Sequence, residues 1–342
     1  MQICDRGAVG ALRSLPAQRH TMTEAHPLSL ARPQATLRAY LVIVIGIAAI
    51  SMGSILIRLA QQEGMPSLMI AAGRLGIASL ILTPLALRRH TDEIRRLQRS
   101  DLVFTAIAGL FLAAHFATWV LSLEYTSVLI SVVLVNTHPL WVALLEVFFL
   151  KARLARPVII GLVIGITGSA VVAGLLNDLL AGLGVVIPAE GIVTVGDNPL
   201  LGSLLALAGA MTVAVYFTIG RKLRGGVSLL VYIWLVYSCA AIILLLAVLL
   251  MGIPIIGYSQ QGYIWLVSMA LIPQLMGHTS FNYVLKFFPA TYVSIATQLE
   301  PAASAAIAYF LFRETPLPFQ IVGSIVILGG IILATLGQSR SA

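Results

Sequence analysis

From about residue 39 onward the chain is a succession of long apolar runs separated by brief polar punctuation. An apolar helix of about 20 residues crosses a bilayer core of about 30 Å. Ten runs approach that length: 39–59, 67–87, 101–122, 128–150, 156–175, 200–219, 227–250, 263–284, 289–311 and 317–336. The pattern predicts an all-α polytopic membrane protein with ten transmembrane helices. Residues 1–36 hold no such run and are expected to form a disordered cytoplasmic tail, with Met22 as an alternative start. Joining segments are short, except for 88–100 and 176–199.

The polar residues inside the runs repeat. Asn136 is followed three places on by Pro139, and Gln298 by Pro301. Each segment then runs apolar to a charged cluster, Lys151-Ala152-Arg153 or Arg313-Glu314-Thr315, and on to matched glycines, Gly161 with Gly323 and Gly168 with Gly330. One offset of 162 aligns all of these, sets Trp119 opposite Phe281 and Tyr125 opposite Phe287, and an offset of 163 sets Arg58 opposite Arg221. A unit present twice is the simplest account. It divides the chain into a first repeat at 37–175, an extracytoplasmic linker at 176–199 and a second repeat at 200–337. Five spans per unit is an odd number, so the second unit enters the membrane from the opposite side. The expected architecture is two inverted five-helix repeats, a common construction of secondary transporters.

Composition agrees: 59% of the 342 residues are hydrophobic and only 10% charged, against about 25% charged in average soluble domains. Mean hydropathy is +0.99. The net charge of +8 does not point to nucleic acid, because the positives lie in short clusters between apolar runs. With the amino terminus cytoplasmic, inner loops collect Arg88, Arg89, Arg95, Arg96, Arg99, Lys151, Arg153, Arg156, Arg221, Lys222 and Arg224. Outer loops hold Arg313 and the acids Glu63, Glu124, Asp178, Glu190 and Asp197. That asymmetry follows the positive-inside rule and places both termini in the cytoplasm, with the chain in the inner (plasma) membrane. Cys4 and Cys239 supply neither a disulfide framework nor a thiolate metal site. No metal or cofactor is expected.

The run from Glu124-Tyr125-Thr126, and from Pro139 through Lys151-Ala152-Arg153-Leu154 to Gly161 and Gly168, resembles the drug/metabolite transporter superfamily, within it the EamA-like ten-helix permeases. The second copy, Glu300-Pro301-Ala302 through Arg313-Glu314 to Gly323 and Gly330, is the closer match. The resemblance covers about residues 39–337 and implies export or uptake of small metabolites, amino acids among them, without ATP. It departs at Ala152, where such repeats carry a glutamate that the second copy keeps as Glu314. The expected cost of that loss is local helix capping rather than transport.

Ionisable side chains at mid-bilayer cost about 2.5–3.5 kcal/mol on insertion scales and so need a partner, water or a function. Counted along each run at 1.5 Å per residue, Arg74, His115 and Asn136 fall roughly 10–12 Å below the outer surface. His138 and Glu300 fall near the middle, and His278, Asn282 and Gln298 in the inner half. Asn136 matches Gln298 and His138 matches Glu300 in the repeat, while His115 and His278 are one residue from equivalence. These residues, with Trp119, are the candidate substrate pathway, and Pro139 and Pro301 the candidate helix breaks. For Arg74 two readings stand: an anionic substrate group, or a structural ion pair or snorkelling arginine. Glu300 reads as a substrate- or proton-handling acid or as a buried structural one. His115 with Trp119 and His278 with Asn282 share helix faces at i, i+4 and would serve helix packing equally well. Glu146 is expected to pair locally with Lys151, and Trp141, Trp234, Trp265, Tyr258 and Tyr263 to anchor span ends at the interface.

The expected function is a secondary permease that moves a small metabolite by alternating access, as an exporter, with protons as the candidate coupling ion. No H-E-x-x-H, G-x-S-x-G, paired-aspartate or G-x-x-x-x-G-K-[ST] signature is present, so the chain is not expected to be an enzyme or an ATP-driven pump. An intramembrane enzyme and an assembly partner without cargo remain the alternatives. Self-association is open in the sequence.

Overall fold

The computed structural model describes residues 33–150, 156–172, 198–224, 226–284, 297–316 and 318–339. The expected tail at 1–36 (but for its last four residues), most of the linker at 176–199, the Lys151-Ala152-Arg153-Leu154 cluster and the start of the ninth span lie outside these residues, as do the side chains of Glu146 and Gln298.

The first half contains α1 (Pro33–Ser51), α2 (Gly53–Gln62), α3 (Ser67–Arg89), α4 (Thr91–Arg96), α5 (Arg99–Tyr125), α6 (Val128–Val135), α7 (His138–Leu150) and α8 (Arg156–Val172). The second contains α9 (Pro199–Leu223), α10 (Leu229–Leu250), α11 (Gln260–Met269), a π-helical segment (Ala270–His278), α12 (Thr279–Val284), a 3-10 turn (Thr297–Leu299), α13 (Glu300–Phe312) and α14 (Pro318–Ser339). Among the described residues there is no strand. Five segments are long and apolar enough to cross a bilayer: Leu37–Gln62, Ser67–Arg89, Arg99–Tyr125, Pro199–Leu223 and Leu229–Leu250. Of the other expected spans, the fourth and the eighth are interrupted near Pro139 and Pro273, the ninth is described only from Thr297, and α8 and α14 are continuous helices over the described residues.

Pro139 has no N–H and its ring clashes with the carbonyl four residues back. The fourth span therefore stops at Val135 and restarts at His138, with the proline in the first turn, where its fixed φ suits a helix start. The carbonyls at the end of α6 are taken up locally. Val132 O accepts from both the backbone and side-chain nitrogens of Asn136 at 3.0 Å, and Leu134 O from the Thr137 hydroxyl at 2.7 Å. The Val135 carbonyl lies 3.3 Å from His138 Nδ1. In a bilayer each such group left bare would cost several kcal/mol, so these polar residues make the break tenable. Pro301 occupies the same place in the first turn of α13. Pro273 falls inside the eighth span, which loosens into the π segment there, whereas α5, its counterpart, runs 27 residues unbroken.

Matching helices of the two halves pack against each other antiparallel. Ser79 of α3 bonds Ser238 of α10 at 2.6 Å, and a turn further on Trp234 Nε1 donates to Thr83 Oγ1 at 3.0 Å. In α8 and α14 the glycines meet crosswise: a methyl on Gly330 would lie 2.7 Å from the Gly161 carbonyl oxygen, and one on Gly168 3.0 Å from that of Gly323. Only glycine permits this approach. A second crosswise pair flanks the centre, where Gly46 packs on Phe281 and Gly209 on Trp119. The apolar core lies between α2, α3, α5 and α10, and outward faces carry aliphatic side chains such as Leu80, Ile242 and Leu250, suited to lipid.

Both ends of the stack are tied across the halves by a carboxylate on a helix N-terminus. At one end Glu314, beyond α13, accepts from Val128 N of α6 at 2.9 Å and faces Arg58 at 3.5 Å, while Arg58 also donates to the Thr126 carbonyl at 2.8 Å. Glu314 thus caps a helix of the other half, not its own. At the opposite, basic end, Glu93 of α4 accepts from Ser228 N at the start of α10 at 2.6 Å and bonds His90 at 2.8 Å.

Candidate functional site

Where the break of the fourth span faces the 3-10 turn and the start of α13, a cavity of about 50 Å³ opens, room enough for several waters or a small polar group. Arg74 reaches it from α3, His115 and Trp119 from α5, Asn136 and His138 from the first break, His278 from the π segment and Glu300 from the second break. Side chains whose depths along the sequence spread over half a bilayer therefore converge on one site.

Asn136 Nδ2 donates to Glu300 Oε2 at 3.3 Å, joining the two breaks directly. Arg74 is fully buried, so it does not snorkel, and its guanidinium lies over the Phe116 ring at 4.1 Å. Among the described residues none of its three nitrogens has a hydrogen-bond partner. A cation over an aromatic face is stabilised by the ring quadrupole, which leaves its N–H groups free toward the cavity. A buried cation so placed is chemically ready for a carboxylate or phosphate.

The histidines differ. His115 stacks on Trp119 with centroids 5.7 Å apart and bonds the Gly209 carbonyl at 2.9 Å, so it ties α5 to α9 while lining the cavity. His138 bonds the Val135 carbonyl and packs on Phe217. His278 meets Phe116 edge-on, and its buried Nδ1 is unpartnered among the described residues. The Trp119 Nε1 is unpartnered in the same way. Asn282 does not line the cavity: it bonds the His278 carbonyl at 2.8 Å and the Tyr216 hydroxyl at 3.0 Å behind it. Groups of three or more metal-ligating side chains that could hold an ion are absent among the described residues.

Sequence reasoning missed Phe116, Phe217, Phe281 and Thr297. Phe281 was legible as the repeat partner of Trp119, and both line the cavity. Phe116 and Phe217 are ordinary apolar positions in ordinary apolar helices, with nothing in the sequence to set them apart.

The EamA-like transporter family model matches the chain twice, over residues 37–174 and 200–336. An uncharacterized transporter of Bacillus subtilis (strain 168) is 23% identical over 287 residues, 83% of this chain and 86% of its own length. An uncharacterized transporter of Archaeoglobus fulgidus is 26% identical over 73 residues, 21% of this chain, a match spanning 27% of that relative. One crystal structure shares the fold with a TM-score of 0.59 at 19% identity, covering 89% of this chain and 98% of its own. With both halves matched and a membrane-embedded helical fold built around a shared central site, the chain belongs to the EamA-like transporter family.

Proposed function

We propose that the chain is a secondary permease of the inner membrane that moves a small metabolite bearing an anionic group, such as an amino acid, by alternating access between two inverted five-helix repeats. The observation that carries it is the buried, unpartnered Arg74 guanidinium in a cavity where Glu300 and Asn136 bridge the two helix breaks. Arg74 holds the carboxylate or phosphate of the cargo, Glu300 takes its cationic group or a proton, and Trp119 closes on it. The antiparallel packing of α3 with α10 and α8 with α14 supports the inverted relation, and with it a ten-span topology with both termini in the cytoplasm. Export is the direction we assign. Family membership supports a transporter over an intramembrane enzyme or an assembly partner without cargo.

The test is flux through proteoliposomes for a panel of metabolites, amino acids first, with and without a proton gradient, comparing the native chain with Arg74→Gln and Glu300→Gln. Both variants should abolish flux of one compound class. Gradient-independent flux in Glu300→Gln alone would assign the proton to Glu300 and the cargo to Arg74. Full activity in Arg74→Gln would overturn the assignment of the anion.

A further inference from the structure

Helix α13 belongs to the second half but packs chiefly on α1, α2 and α6, all of the first. The stripe that makes this contact recurs at a spacing of four: Glu300, Ser304 and Ala308 are buried, while Tyr309, Phe310 and Leu311 are exposed. Three ties run from the cavity to the surface. Glu300 accepts from Asn136 at 3.3 Å. One turn on, Ser304 donates to the Ser51 carbonyl, where α1 ends, at 3.0 Å. Beyond the helix, Glu314 accepts from Val128 N and faces Arg58. Between the helix and that bond stands Arg313, in a left-handed turn with φ 57°, the only non-glycine residue with positive φ among those described. Such a turn is usually given to glycine or asparagine, and here it brings Glu314 back onto the first half.

Helix α6 offers the other side of two of these ties. Val128 is its first residue and Asn136 the one after its last, so the ties stand about 12 Å apart, one at each end of the helix. Its middle is pinned to α5 of its own half, where Ser131 bonds Ser122 at 2.6 Å. Two antiparallel helices from different halves are thus joined at the cavity and again at the surface, and α6 is the fixed member. Packed helices shift as units rather than bending smoothly, so release at one tie is felt at the other.

We infer that α6 and α13 form a latch released from the cavity. A cargo group that takes Glu300 from Asn136 undoes the first tie, α13 leaves the face of the first half, and the Glu314 end opens. This role rests on the transport reading above. It makes Asn136, Ser304 and Glu314 positioning residues, which hold α13 and through it the closed end. By the same coupling, opening at Glu314 weakens the hold on Glu300.

The experiment reads the far end of the latch while changing the near one. Cys4 and Cys239 are replaced by alanine, and Thr126, fully buried with its carbonyl bonded by Arg58, is replaced by cysteine. Labelling of Thr126→Cys by a maleimide in detergent then requires the Glu314 end to open. Asn136→Ala and Glu300→Ala, at the other end of α6, should each speed labelling about tenfold, on the scale of one buried bond. Together they should do no more than either alone, because both remove the same tie. Glu300→Gln keeps an acceptor for Asn136 and should stay within about threefold of the unchanged chain. Ser304→Ala removes the middle tie without touching the cavity, is too small a change to prevent folding, and should speed labelling about threefold. A thiol at the equally buried Ala240 of α10, away from the latch, should keep its rate throughout. The latch is overturned if Asn136→Ala and Ser304→Ala leave the rate unchanged, or if the double variant multiplies the single effects. It is overturned equally if Glu300→Gln labels as fast as Glu300→Ala, or if Ala240→Cys quickens in step with Thr126→Cys. Coupled labelling in a chain that moves no cargo would overturn the transport reading and leave the latch standing.

Discussion

Glu314 and Glu93 play similar parts at opposite ends of the helix stack, each a carboxylate accepting a backbone N–H where a helix of the other half begins, Val128 at the first position of α6 and Ser228 at the residue before α10. Their surroundings differ. Glu314 is 9% exposed and faces an arginine that is itself 13% exposed, whereas Glu93 and its His90 partner are 28% and 30% exposed. One end is therefore held by a desolvated ion pair and the other by a wetter cluster. Charges out of water are costly to leave alone and little costs are attached to those still in it, so the two ends should answer differently to the same perturbation.

The largest effect is expected from Glu314→Ala. It strands Arg58 partly buried and leaves Val128 N unbonded, and should cost about 2–3 kcal/mol. Thermal unfolding in detergent reads it, and a loss below about 0.5 kcal/mol, the range of ordinary surface substitutions, would mean the pair contributes nothing. The double variant Arg58→Met with Glu314→Gln should recover part of the loss, because no charge is then stranded. Glu93→Ala comes next, at about 1 kcal/mol in the same assay, the size of one exposed-side hydrogen bond.

The smallest effect is on pH, and its sign separates the ends. Burial, outweighing Arg58 and the Val128 bond, holds the Glu314 carboxyl above its ordinary value. Burial also acts to raise Glu93, but the bonds from Ser228 and the neighbouring His90 together outweigh it and hold that carboxyl below its ordinary value. The Glu314 end, closed as it is here, thus binds more protons than an open one, and acidification from neutral through the raised value favours closure. The Glu93 tie, whose contribution is present above the ordinary carboxylate value, is lost as pH falls through its depressed one. Cysteine labelling next to each end across pH 4–8, with each rate divided by that of a free thiol at the same pH to remove the loss of thiolate, should slow at the Glu314 end and quicken at the Glu93 end. A common direction at both would break the comparison.

Much of the centre was legible because the repeat is written in rare residues. Proline within apolar runs marked the interruption of the fourth span and the first turn of α13, and Arg74, His115, His138, His278 and Glu300, conspicuous where charge is scarce, line one cavity. What was not legible depends on contacts between helices far apart in sequence. The Phe116 ring beneath Arg74, and Tyr216 behind the cavity, are unremarkable one helix at a time. Glu314 was read as a local cap because it follows its own helix, and its bond to Val128 across the halves has no signature in either segment. The π segment at Pro273 was missed because that proline has no counterpart in the first half.

The crosswise glycines of α8 and α14 bear on how the chain arose. Gly161 meets Gly330 and Gly168 meets Gly323, and in each contact one residue is the repeat counterpart of the other contact's member. Fold the two halves back into one ancestral sequence and both contacts become a single one, an early glycine of the helix on a late glycine of a second copy. Such a patch is self-complementary, as two-fold dimers require. A half-length unit carrying that patch would meet an oppositely directed copy of itself there, which is the contact the two joined halves make in this chain.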